Sequence, residues 1–164
     1  MEAKELLMQQ WASCLDEEDW FLPMKPVLEK LTAEQALWKP EEGPANSIWE
    51  TVRHLLFYKK RLLVRVKGEG AKEPAAADND ATFSIPDTSP DSWVQDRDEL
   101  FSVHRALGEI LAGSDETSLS APVPGERTLA LEMKSLAMHD AYHIGQIVLL
   151  SKLQGTWPAA RRFG

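Results

Sequence analysis

Two histidines stand four residues apart in the run His139-Asp-Ala-Tyr-His143. On a helix, residues at that spacing lie one turn apart and about 40° apart around the axis, so two imidazoles there can grip one metal ion. The spacing alone is equally that of surface histidines or of histidines bonded within a core. The run also approaches the metalloprotease pattern H-E-x-x-H, with Asp140 standing where the glutamate would be. That reading fails on two counts. Aspartate is one methylene shorter than the general-base glutamate, and no histidine follows His143 to complete the ligand set.

His54, in an earlier helical segment, is the candidate third ligand, because bundle proteins assemble metal sites from side chains on facing helices. A helical wheel raises an objection. The apolar face of that segment centres on Val52, Leu55, Leu56 and Leu63, and His54 points away from it. Its helical neighbours Glu50, Thr51, Tyr58 and Arg61 form a polar stripe that suits either solvent or a wet internal pocket. Around the late pair, Gln146 shares the face of His139 and His143, and Asp140 and Tyr142 flank it. Each is a candidate for orienting an imidazole or contacting substrate. Glu132 shares that face two turns earlier, at reach of a pocket mouth. His104 falls on a different stripe, with Trp93, Arg97, Leu100 and Leu107, and reads as a histidine of the bundle rim or core edge.

The elements that must position these residues are helical. Residues 2 to 18 carry helix formers without Gly or Pro, and Leu7, Trp11, Cys14 and Leu15 recur at helical spacing. Pro23 and Pro26 interrupt the next stretch, although Pro26 can sit in the first turn of a short helix. Residues 32 to 45 read as connection, with a turn or two of helix after Thr32-x-x-Gln35. Ser47-Ile-Trp-Glu50 is a capping box that opens a second helix running to about Lys67. Residues 68 to 90 lack any sustained period and form a long loop whose strongly apolar anchors are Phe83 and Ile85. A third helix begins after Ser89-Pro and ends near Gly113, and a fourth spans about Glu126 to Leu153 before Gly155. The pattern predicts an all-α, single-domain chain over 1–164, built as a four-helix bundle with the long loop between helices two and three.

Composition narrows the partners. Against 18 Lys plus Arg stand 26 Asp plus Glu, a formal charge of −8 that disfavours a phosphate backbone, so nucleic acid is not expected. No uninterrupted apolar run approaches the roughly 20 residues of a membrane span. The N-terminus shows neither a basic nor an apolar leader segment, and one cysteine, Cys14, suits packing in a reducing cytoplasm. Trp11, Trp49 and Trp93 are expected to supply packing.

Three runs resemble the DinB-like superfamily: Asn46-Ser-Ile-Trp-Glu-Thr-Val-Arg-His54, His139-Asp-Ala-Tyr-His143-Ile-Gly-Gln146, and Leu153-Gln-Gly-Thr-Trp157-Pro. These are bacterial four-helix proteins that include metal-dependent hydrolases and thiol-dependent transferases. The resemblance implies one divalent transition metal, nickel, zinc or iron, bound by His54, His139 and His143. It implies a small-molecule substrate, a low-molecular-weight thiol among the candidates, and a homodimer. A bundle that holds metal or ligand without catalysis is the alternative.

Overall fold

The computed structural model describes residues 3–124 and 127–157. Their regular structure is helical: α1 (Ala3–Leu15), α2 (Met24–Leu28), α3 (Ala33–Leu37), α4 (Ile48–Val66), α5 (Pro90–Gly113), α6 (Glu116–Ser120) and α7 (Leu129–Leu153). The long helices α1, α4, α5 and α7 pack in a closed ring, with α4 against α5 and α7, and α1 against α7 and α5. Their facing stripes bury Leu15, Val52, Leu55, Leu100, Leu107, Met133 and Ile147. No helix of the described residues is long and apolar enough to cross a membrane.

The capping chemistry read from sequence sets the starts of the helices that carry the histidines. Ser47 Oγ accepts from Glu50 N–H at 3.1 Å, and the Glu50 carboxylate accepts from Ser47 N–H at 2.6 Å. Gly68, at φ +71°, takes the left-handed conformation just past the end of α4. Thr128 caps α7 through Leu131 N–H, so that helix starts three residues later than expected. Glu126, its expected first residue, lies outside the described residues, as does Glu2 of the first helix.

Two further boundaries and one additional helix differ from expectation, each for a local reason. α1 stops at Leu15 because the carboxylates of Asp16, Glu17, Glu18 and Asp19 would meet the negative end of its dipole. α2 begins before Pro26, which occupies its third position, where the missing N–H has no intrahelical partner to lose. α6 was not anticipated, since five residues show no periodicity, although Asp115 caps it through Ser118 N–H at 2.8 Å.

Trp11, Trp49 and Trp93 pack as expected and satisfy their N–H groups while doing so. Trp49 donates to Asp96, Trp93 to the Leu31 carbonyl and Trp11 to the His104 carbonyl. Gly108 lets α1 and α5 close: a Cβ there would sit 3.2 Å from the Trp11 ring. The expected loop between α4 and α5 is partly ordered into short 3-10 turns at Gly70–Lys72 and Asp80–Phe83. Both of its expected anchors, Phe83 and Ile85, are half-buried.

Candidate metal centre

α4 and α7 run antiparallel and bring the three sequence-matched histidines to one point. His139 Nε2 lies 3.0 Å from His54 Nε2 and 3.1 Å from His143 Nε2, and one ring nitrogen from each histidine falls within 4.8 Å of the others. Nitrogens bound at ~2.0–2.1 Å to a common ion sit about 3.0–3.4 Å apart for bond angles between right and tetrahedral. The three-histidine group can therefore hold a metal ion. His54, which the wheel left between solvent and an internal pocket, is only 3% exposed.

What covers His54 is the turn at Asp80–Phe83. The Phe83 ring stacks on the imidazole with centroids 3.9 Å apart, and Thr82 Oγ1 lies 2.6 Å from His54 Nδ1. Because the Thr82 hydroxyl donates its own proton to the Asn79 carbonyl, its oxygen can only accept from the ring. His54 thus carries its proton on Nδ1 and presents a bare Nε2. The same logic applies to His143, whose Nδ1 lies 2.7 Å from Gln146 Oε1, an oxygen that can only accept. Two lone pairs therefore converge on His139 Nε2, an arrangement that a cation would satisfy.

Burial keeps these rings neutral. It pushes His54 down to about 3, with added repulsion from His139 and His143, and pushes His139 down to about 4 with help from His143. His143 is lowered as well, chiefly by burial.

The flanking residues sort differently from the sequence expectation. Gln146 is the hydrogen-bond partner of the His143 ring. Asp140 is wholly buried but does not bond to the histidines: its Oδ1 takes an ion pair from Lys59 of α4, and Oδ2 faces His104 Nδ1 at 3.5 Å. Burial alone would raise the Asp140 pKa, and Lys59 and His104 outweigh it, holding the carboxyl below its ordinary value. Tied up in this way, Asp140 is not the general base of a metalloprotease scheme. Tyr142 is 65% exposed, with its ring edge-on to His143 at 5.0 Å. His104 is a core histidine rather than a rim one. It stacks on Trp11 at 4.0 Å, and its Nε2 lies 2.9 Å from the Trp11 carbonyl.

One cavity of about 430 Å³ opens beside His139, lined by Tyr58, Leu62 and Leu136 and by Arg61, Arg65 and Arg127. Glu132 lies on its wall, as its place two turns before His139 implied. Sequence reasoning missed Thr82, Lys59, Arg65 and Arg127. Lys59 had a signal, a lysine in step with Val52, Leu55 and Leu56 on the apolar stripe, whereas Thr82 had none.

The family model of the DinB superfamily matches residues 24–147, a span that includes all three histidines and Gln146. No curated protein and no solved structure matches the chain.

Proposed function

Because the chain belongs to the DinB superfamily and brings three imidazole nitrogens to one point, we propose that it is a metal-dependent protein acting on a small molecule. His54, His139 and His143 hold one nickel, zinc or iron ion, and the chemistry is that of a hydrolase or a thiol-dependent S-transferase. The observation that carries this reading is the pinned tautomer of His54 and of His143, each turning a bare Nε2 toward His139. An ion held by three histidines supplies a Lewis acid with open positions, which activates an oxygen or sulfur nucleophile at neutral pH.

The chain's own residues do the rest. Thr82 and Gln146 orient two of the rings, and Phe83 shields His54 from water. Tyr58, its hydroxyl donated to Asn79 Oδ1 at 3.0 Å, lines the cavity beside His139. With Asp140 engaged by Lys59, α7 offers these nitrogens no free carboxylate from between the two ligands.

The ring of α1, α4, α5 and α7 reads as a four-helix bundle, and the single buried Cys14 fits a cytoplasmic setting. A homodimer is supported by the exposed stripe of Leu131, Met138, Tyr142, Leu149 and Leu153 along α7.

Elemental analysis of the purified protein tests the metal centre. About one ion per chain is expected from the three-histidine set, with loss in His54→Ala, His139→Ala and His143→Ala but not in His104→Ala. Circular dichroism should show helix retained throughout. Variants that bind metal as the parent does would overturn the site. Turnover of activated esters, or of a thiol with an electrophile, by the loaded protein separates an enzyme from a bundle that only holds metal.

A further inference from the structure

We propose that the cavity beside His139 seats an elongated organic anion, its acid group on Arg61, Arg65 and Arg127 and its other end at the histidines. The proposal rests on the metal-centre reading only for what happens at the histidine end.

Helical stations lay out the groove. On α4, Tyr58, Arg61 and Arg65 come after His54 at steps of four, seven and eleven residues. On the antiparallel α7 side, Ser135, Glu132 and Arg127 precede His139 at steps of four, seven and twelve. All of these except His54 line the same cavity as His139. From the station of His54 to that of Arg61 is about 10 Å of helix axis, and to Arg65 about 16 Å. Guanidinium groups reaching back toward the histidines therefore suit a ligand about 6–10 Å long. Leu62 and Leu136, also in the lining, give its middle an apolar wall.

The charges favour an anion. Glu73 binds Arg61 through Nε and Arg65 through Nε and Nη2, and so holds two guanidinium groups in place while engaging only part of their donors. Only Nε of Arg61 is engaged among the described residues, which leaves both of its terminal nitrogens for a ligand. Arg127 spends Nη2 on the Leu131 carbonyl and Ser135 Oγ, and its Nε lies 3.6 Å from Glu132. Three guanidinium groups thus face two carboxylates, Glu73 and Glu132, so this wall is net positive in a chain of formal charge −8. A carboxylate or phosphate end would find fork-shaped donors already positioned. A neutral ligand of the same shape would leave them unused.

Two thiols that differ only in their far end read this directly: 6-mercaptohexanoate and 6-mercaptohexanol, titrated into the cobalt(II)-loaded protein and monitored by thiolate-to-cobalt absorption. The acid should bind at least about tenfold tighter at low ionic strength, and the advantage should shrink as salt is added. Arg61→Gln and Arg127→Gln should each bring the ratio toward one and leave the affinity of the alcohol unmoved. Equal affinities in the parent, or an unchanged ratio in both variants, would overturn the proposal. If cobalt is not taken up, the metal reading falls and the arginine wall is tested alone by calorimetric titration of adipate into the metal-free protein. Binding that is lost in the two variants supports it, and absence of binding overturns it.

Discussion

Replacing Thr82 by valine keeps the shape of the side chain and removes one oxygen, yet it should weaken metal binding strongly. In the parent, Thr82 Oγ1 accepts from His54 Nδ1 at 2.6 Å while its hydroxyl bonds the Asn79 carbonyl, and the residue is buried. Without that oxygen a buried Nδ1–H goes unpaired, at a cost of about 1–3 kcal/mol. The ring can escape the cost by moving its proton to Nε2, where His139 Nε2, 3.0 Å away, is a ready acceptor. Metal binding would then have to undo that hydrogen bond and restore the unpaired N–H. Loss of a partner that orients a ligand typically costs 10–100-fold in affinity, or about 1.4–2.7 kcal/mol. Competition with a chromophoric chelator at pH 7.5, with zinc as the probe, measures this. Thr82→Ser, which keeps the hydroxyl, should bind near the parent value. If Thr82→Val binds zinc within twofold of the parent, the argument that this loop sets the His54 tautomer is wrong.

The same geometry dictates three other outcomes. The histidine pKa values are lowered, to about 3 for His54 and about 4 for His139, so the unfolded chain binds more protons below its ordinary value near 6.5. Stability of the metal-free protein should therefore be complete above about pH 6.5 and fall steadily toward pH 3–4, and bound metal should survive pH 6; urea titrations and dialysis across that range check both. Lys59→Met strands the Asp140 carboxylate in the core and should cost about 3–5 kcal/mol in urea unfolding, whereas Lys59→Met with Asp140→Leu should recover most of it; a cost below about 1 kcal/mol in the single variant would refute the buried pair. Met138→Glu with Leu149→Glu should halve the mass seen by sedimentation equilibrium, and a parent that sediments as a monomer would remove the homodimer.

How much of the site the sequence revealed depended on where each contact lies along the chain. His139 and His143 were legible because their relation is local, one turn of one helix. Ser47 and Glu50 were legible for the same reason. His54 was ambiguous because a wheel ranks a helix face only against the apolar core, and its cover arrives from Thr82 and Phe83, 28 and 29 residues later. The polar stripe of Tyr58 and Arg61 was visible, and its reading as the lining of a wet pocket is the one the fold realises. Asp140 shows the converse. Its position between two candidate ligands suggested that it would steady them, but its partner is decided by Lys59 on another helix. No spacing within α7 encodes that choice.

The Lys59–Asp140 pair also fixes how α7 is phased against α4. His54 and Lys59 lie on one helix, His139 and Asp140 on the other, so the tie between the second members sits next to the meeting of the first. Sliding α7 by one residue would turn it by about 100° and shift it 1.5 Å, separating a buried charge from its counterion at the moment the imidazoles part. Misaligned packings of the two helices are therefore penalised twice over. Insertions and deletions should then divide by location. In the connection from Asp16 to Pro23, which lies outside both helices, a change of length leaves that alignment untouched. Between Asp140 and His143 a single added residue would carry His143 about 100° around the axis and away from the other two histidines.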